Sequence, residues 1–223
     1  VKTSLSTTSG QFLSFMSVRS KRTFQSNQEL WQAFLSSDKE AFACLFEEYA
    51  DAMYAYGCKM TSDAELVKDA IQDVFVKLYK NRLSLRENVM IKGYLFVTLK
   101  HTLLNLLHTH VTLSLEDGDG VRFKIDLLSQ RLYEEDSSCG CCEEEETRQQ
   151  LLKALDELTD RQREAIYLYY IQEIPLNELS VLLDMNYQST RNLIHRAMTK
   201  LRQHIQPTSY ASIPLLLVQY LSE

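Results

Sequence analysis

The sequence is poor in the residues that punctuate a chain, with 6 glycines and 3 prolines in 223 positions. That leaves little turn material for a fold of many short strands, and no apolar–polar alternation of strand length is found. Cysteine is scarce as well, at 44, 58, 139, 141 and 142. An odd number without a regular rhythm excludes a disulfide scaffold and fits a reducing, cytoplasmic setting. The apolar tail "IPLLLVQYL" (213–221) is far short of the ~20 residues that span a bilayer, so no stable membrane insertion is expected. It reads as a short helix or strand tucked onto the body. Residues 1–26 scatter their apolar side chains among Ser and Thr without the core of a secretory signal, and are expected to form a disordered leader. The sequence opens on Val1, and Met16 is a candidate translation start.

Also missing are the signatures of catalysis: no Gly-rich phosphate loop, no nucleophile–histidine pairing, no H-E-x-x-H. "DGDGVRFKID" (117–126) fails as a calcium loop, because Val121 stands at the third acidic ligand and Leu128 at the closing glutamate. "CGCC" (139–142) with His108 or His110 offers the ligand types of a zinc site, but the carboxylates around it disfavour the thiolate that a metal needs. No metal, cofactor or enzymatic activity is expected. Positive charge is in deficit too, with 24 Lys+Arg against 30 Asp+Glu and a net charge of −6. This argues against a protein that coats nucleic acid all over, while leaving room for a local basic face.

What is present is helical periodicity in two blocks. In residues 27–108, Leu30, Phe34 and Leu35 begin a short helix. Asp38 can cap a second, carrying Phe42, Leu45, Phe46, Tyr49, Met53 and Tyr56. Thr61, Ser62 and Asp63 offer caps for "DAELVKDAIQDVFVKLYKN", in which Leu66, Ala70 and Val74 with Ile71, Phe75 and Leu78 form the apolar stripe, and "MIKGYLFVTLKHTLLNLLH" supplies a fourth helix. Residues 109–147 break the pattern: "EDGDG" is turn material, and "YEEDSSCGCCEEEE" carries seven carboxylates and no cation. Such a run self-repels, so a flexible acidic linker is expected there. Periodicity resumes over 148–206. Thr159 and Gln162 stand at capping-box spacing, and Pro175 suits the first turn of the next helix. Residues 207–223 form the apolar tail. The expected fold is all-α: two small helical domains joined by a flexible acidic linker.

The second block ends with the grammar of a helix-turn-helix. A short helix over Leu176–Leu183 is followed by a tight turn at Asp184–Met185–Asn186, with Asn186 a good N-cap. Asp184 stands where positive φ is often needed and tolerates it better than most residues. The helix that follows, within "DMNYQSTRNLIHRAMTKLRQ", holds Arg191, Arg196, Lys200 and Arg202 without a carboxylate. Leu193, Ala197 and Leu201 share one face, with Ile194 and Met198 beside them, and are expected to be core. Tyr187, Gln188, Ser189, Arg191, Asn192, His195, Arg196, Lys200 and Arg202 are the candidate DNA contacts. Short polar side chains near the helix start can reach base edges, and cations farther along meet phosphates.

"LLKALDELTDRQREAIYLYYIQEIPLNELSVLLDMNYQSTRNLIHRAMTKLRQ" (151–203) resembles the C-terminal domain of bacterial sigma factors of the extracytoplasmic-function type. Leu158, Thr159 and Arg161–Arg163 match the opening of that domain, and His195, Arg196, Ala197, Lys200, Leu201 and Arg202 its ending. "VKDAIQDVFVKLY" (67–79) independently resembles the family's polymerase-gripping helix. The resemblance implies core RNA polymerase contacts at Asp69, Gln72, Asp73, Phe75, Lys77, Leu78 and Tyr79. "YLFVTLKHTLLNLL" (94–107) resembles the helix that reads the minus-ten element, which implies contacts at Tyr94, Lys100, His101, Asn105 and His108. The basic run that usually follows is replaced by "THVTLSLEDGDG", leaving Lys100 the firm positive charge near that end.

The resemblance implies a cytoplasmic sigma factor that binds core RNA polymerase and promoter DNA, places its helix-turn-helix on the minus-thirty-five element, and is held by an anti-sigma factor. The rival is a helix-turn-helix regulator that binds duplex DNA without being a polymerase subunit. A third possibility is a degenerate sigma factor that holds polymerase but does not open promoters.

Overall fold

The computed structural model describes residues 24–87, 89–113, 150–204, 213–214 and 217–218. Among these every regular element is helical, and the chain divides into two compact units. Most of the linker, with "CGCC" and "DGDGVRFKID", lies outside the described residues, as do residues 1–23 of the leader.

The first unit contains α1 (Asn27–Leu35), α2 (Lys39–Met60) up to Cys58, α3 (Ala64–Asn81) and α4 (Ile91–Leu113). Each of the first three starts where a side chain satisfies backbone N–H groups that have no intrahelical acceptor. Ser26 Oγ accepts from Glu29 N at 3.2 Å, and Glu29 Oε2 reaches back to accept from Gln25 N at 2.8 Å. Asp38 Oδ1 accepts from Glu40 N at 2.8 Å, and Asp63 Oδ1 from Leu66 N at 3.0 Å. The turn into α2 uses Ser37 at φ 68°.

Apolar periodicity decides which faces turn inward. Leu66, Val67, Ala70, Ile71, Val74, Phe75 and Leu78 form the buried stripe of α3, each worth roughly 1–3 kcal/mol of burial. Aromatic rings link three helices: Trp31 to Phe34 (centroids 5.3 Å apart), Phe34 to Phe42 (5.9 Å) and Phe42 to Phe75 (6.0 Å). α2 and α3 meet closely at Gly57, where an added Cβ would stand 2.5 Å from Val67 Cγ1. The fourth helix runs to Leu113, past the expected end at 108. No proline or glycine interrupts it there, and Thr109 Oγ1 donates to Asn105 O within the helix.

The second unit opens with helical residues 150–156, which bury Leu151, Ala154 and Leu155. Thr159 then caps α5 (Asp160–Ile166) through the capping box expected with Gln162. A π-turn at Tyr167–Ile171 follows, and Gln172 Nε2 donates to Tyr167 Oη across it at 2.9 Å. Pro175 is the N-cap of α6 (Leu176–Leu182) rather than part of its first turn. Its ψ of 150° is extended, and helical geometry begins only at Leu176. The turn to α7 (Tyr187–His204) passes through Asp184 at φ 51°, the left-handed conformation expected there. In the tail, 213–214 and 217–218 are helical, with Ile213 and Leu217 buried.

Candidate nucleic-acid interface

α7 is held at its start by Asn186. Its Oδ1 accepts from Ser189 N at 2.7 Å, and its carbonyl accepts from Thr190 Oγ1 at 3.1 Å. The buried stripe is Thr190, Ile194, Ala197, Met198 and Leu201, while Leu193, expected at its centre, is half-buried at the edge. The stripe is therefore turned towards Thr190, whose hydroxyl is satisfied by the helix itself and so tolerates burial.

That rotation leaves Tyr187, Gln188, Arg191, Asn192, His195, Arg196 and Arg202 exposed, with Ser189 half-buried beside them. Gln188 Nε2 donates to Asn192 Oδ1 at 3.2 Å, pre-orienting two amides one turn apart. Arg191, Arg196 and Arg202 form no ion pair among the described residues, so their charge is available to an anionic partner. Lys200 is turned the other way: half-buried, it donates from Nζ to Glu157 O at 3.3 Å. Its ammonium serves its own unit, because the carbonyl left over near the end of helix 150–156 needs a donor.

Two arginines that sequence reasoning passed over as structural elements brace this unit. An Arg161 guanidinium N–H donates to the carbonyl of Leu183, the C-cap of α6, and so ties the helix-turn-helix corner to α5. Arg163 donates to Leu158 O at 3.1 Å and pairs with Asp160 at 3.4 Å. Glu178, in the first turn of α6, keeps one buried carboxylate oxygen without a partner among the described residues, and burial raises its pKa. Tyr169 and Tyr170 meet edge-to-face at 4.9 Å; burial raises the Tyr170 pKa first, the neighbouring Tyr169 adds to this, and Arg202 opposes it.

In the first unit, Tyr94, Thr98, His101, Asn105 and His108 recur at steps of three and four and so share one face of α4. His101, Asn105 and His108 are exposed, while Tyr94 and Lys100 are half-buried. Phe96, the other aromatic of this segment, is fully buried against Tyr56 with centroids 5.3 Å apart. Of the two rings, Tyr94 is therefore the one that reaches solvent.

On α3, Asp69, Asp73 and Lys77 are exposed and Gln72 is half-buried. Phe75 and Leu78, expected as polymerase contacts, are instead buried inside the unit. Direct contact is revised for these two: their apolar side chains hold the helix in place, and Lys77 between them faces outward. Tyr79 is half-buried, stacked on Phe42 at 5.2 Å with the Arg82 guanidinium 4.2 Å from its ring centre.

The comparisons with known proteins follow the same division. Residues 45–111 match the family model for sigma-70 region 2 and residues 148–201 that for sigma-70 region 4, between them over half of the chain. Among curated relatives, the ECF RNA polymerase sigma factor SigM of Bacillus subtilis (strain 168) is 24% identical over 161 residues. That alignment covers 71% of this chain and 91% of SigM. RNA polymerase sigma factor YlaC of the same organism is also 24% identical, over 75% of this chain and 93% of its own. Among solved structures, CnrH in complex with the cytosolic domain of CnrY shares the fold at a TM-score of 0.51 and 17% identity, covering 79% of this chain and 95% of that one.

Proposed function

The chain belongs to the sigma-70 family, as an RNA polymerase sigma factor of the ECF type that directs promoter-specific transcription, and from that premise we propose how its residues divide the work. Asp69, Gln72, Asp73 and Lys77 on the outer face of α3 dock core RNA polymerase, with Tyr79 at the edge of the contact. Tyr94, His101, Asn105 and His108 on α4 engage the opened minus-ten strand, with Lys100 as the nearby cation. The segment 27–108 does this work, 148–206 carries minus-thirty-five recognition, and the acidic residues of 109–147 connect the two. α7 enters the major groove of the minus-thirty-five element. There Gln188, Ser189 and Asn192 face base edges, and Arg191, His195, Arg196 and Arg202 meet phosphates.

The observation that carries this reading is α7 itself: a capped helix with its apolar stripe buried and three exposed arginines that no carboxylate of the described residues neutralises. The protein works as a non-enzymatic subunit in the cytoplasm. No helix among the described residues is long and apolar enough to cross a membrane. An anti-sigma protein that covers the DNA-facing surfaces is the further partner.

The test is run-off transcription with core polymerase on genomic fragments that include the protein's own upstream region, against Asp69→Ala/Asp73→Ala. Promoter-specific transcripts that disappear in the double variant are the expected result. Tight core binding without transcripts would favour the degenerate sigma factor. Specific duplex binding without core binding would favour the free-standing regulator.

A further inference from the structure

The chain has a single tryptophan, Trp31, and its placement is unusual for so short a helix. The ring is 1% exposed within α1, yet its Nε1–H donates out of the helix to the carbonyl of Arg86 at 2.9 Å, 55 positions along the chain. Arg86 lies in the connector between α3 and α4. The same connector is tied at its start: Arg82 Nε donates to Ser37 Oγ at 2.9 Å, and Arg82 Nη1 to Tyr79 O at 2.7 Å. α1 and the turn after it thus fasten the connector at two points. Downstream of Arg86, Met90 is exposed at 59%, and its carbonyl accepts from Tyr94 N at 3.1 Å, closing the first turn of α4. From Tyr94 the chain of contacts continues one turn further, with Thr98 Oγ1 donating to Tyr94 O at 2.8 Å.

A buried indole N–H left without an acceptor is costly, so Trp31 and the Arg86 carbonyl constrain each other. A connector has few other means of holding its backbone: past the single 3-10 turn at Arg82–Ser84, its described residues contribute no helical ladder. We propose that Trp31 is a positioning residue for promoter opening: its hydrogen bond to Arg86 sets where the chain enters α4, and hence where Tyr94 meets the opened strand. This rests on the reading of α4 as the minus-ten helix. It goes beyond that reading by assigning part of the work to α1.

The test uses holoenzyme made from core polymerase and the full chain, comparing native protein with Trp31→Phe, which keeps an aromatic ring in the core and removes the donor. The readouts are core affinity, minus-thirty-five duplex occupancy, affinity for a single-stranded minus-ten oligonucleotide, and permanganate reactivity of the opened promoter. The proposal expects core affinity and duplex occupancy to be kept. It expects single-strand affinity and opening to fall together by roughly 3- to 10-fold, the range a lost hydrogen bond supplies. Equal losses in all four readouts, or none in any, would overturn it, since either result leaves Trp31 with a packing role alone.

Should Trp31→Phe fail to fold, the unsubstituted chain is labelled by incorporating 5-hydroxytryptophan, which retains the N–H and is excited apart from the tryptophans of core polymerase. Its emission is expected to change on adding the single-stranded oligonucleotide and not the minus-thirty-five duplex. No change with the single strand would overturn the proposal. If native holoenzyme neither opens the promoter nor binds the single strand, the reading of α4 falls first, and this inference with it.

Discussion

α7 meets solvent with three arginines and no carboxylate, whereas the outer face of α4 offers one tyrosine, two histidines and an asparagine, with a half-buried lysine at its margin. α7 is also the more firmly framed of the two at its start: Asn186 caps it, and Arg161 fastens the corner before it. Entry into α4 relies on a connector fastened by Trp31 and Arg82. The difference teaches where affinity resides. Cations that neutralise phosphates give salt-dependent binding, and under the proposed reading α7 supplies them. The face of α4 has stacking and hydrogen bonding to offer but little charge, which suits a strand that is already held nearby.

The comparison is broken most directly at α7. Arg191→Ala/Arg196→Ala should lower affinity for the minus-thirty-five duplex by on the order of 100-fold and reduce the salt slope by about 2. Lys100→Ala should change that duplex affinity little. Titrations at several salt concentrations would read both, and an unchanged slope in the double variant would remove α7 as the source of charge. Lys200→Ala sharpens the point, because its ammonium serves Glu157 O; it should leave the slope within about 0.5 of the native value while lowering the melting temperature slightly.

Next in size is the frame of the first unit. Gly57→Ala would place a Cβ 2.5 Å from Val67 Cγ1, and overpacking of this kind costs about 1–3 kcal/mol. A clear drop in melting temperature is expected; an unshifted transition would mean that α2 and α3 can part without penalty.

Smaller effects are expected in the helix-turn-helix. Asp184 sits at φ 51°, so Asp184→Gly should stabilise by about 0.5 kcal/mol and Asp184→Val should destabilise by more. Thermal melts of the pair with the same sign would contradict the backbone account. The smallest effect involves Glu178, whose pKa burial raises above the ordinary 4.5. The folded state therefore holds that proton more tightly than the unfolded one. The stabilisation this brings is fully present below 4.5 and is lost as pH rises through the folded value. Glu178→Gln should melt slightly higher than the native protein at neutral pH, with the gap closing in acid. A gap that persists at low pH would assign the effect to packing rather than charge.

The parts of this molecule that could be read in advance are those settled within a few residues. The Thr159–Gln162 capping box, the Asn186 cap, the Asp63 cap and the positive φ at Asp184 depend on side chains meeting their own backbone, so spacing suffices to reveal them. The apolar stripe of α3 was legible for the same reason, since a 3.6-residue period is written along the chain. The stripe of α7 was legible only approximately. Counting apolar residues put Leu193 at its centre, but a buried threonine fits the pattern only once its hydroxyl is seen to bond its own helix.

Local chemistry, then, determined the helices, their caps, the corner before α7 and the surplus of positive charge on that helix, because each is decided over a span of four or five residues. Tertiary structure alone decided which candidates are free to act. It buried Phe96, turned Lys200 back to Glu157, and joined Trp31 to Arg86 across 55 positions. Exposure and long-range hydrogen bonds depend on which faces of separate helices meet, and that is a property of the packed unit rather than of any one segment.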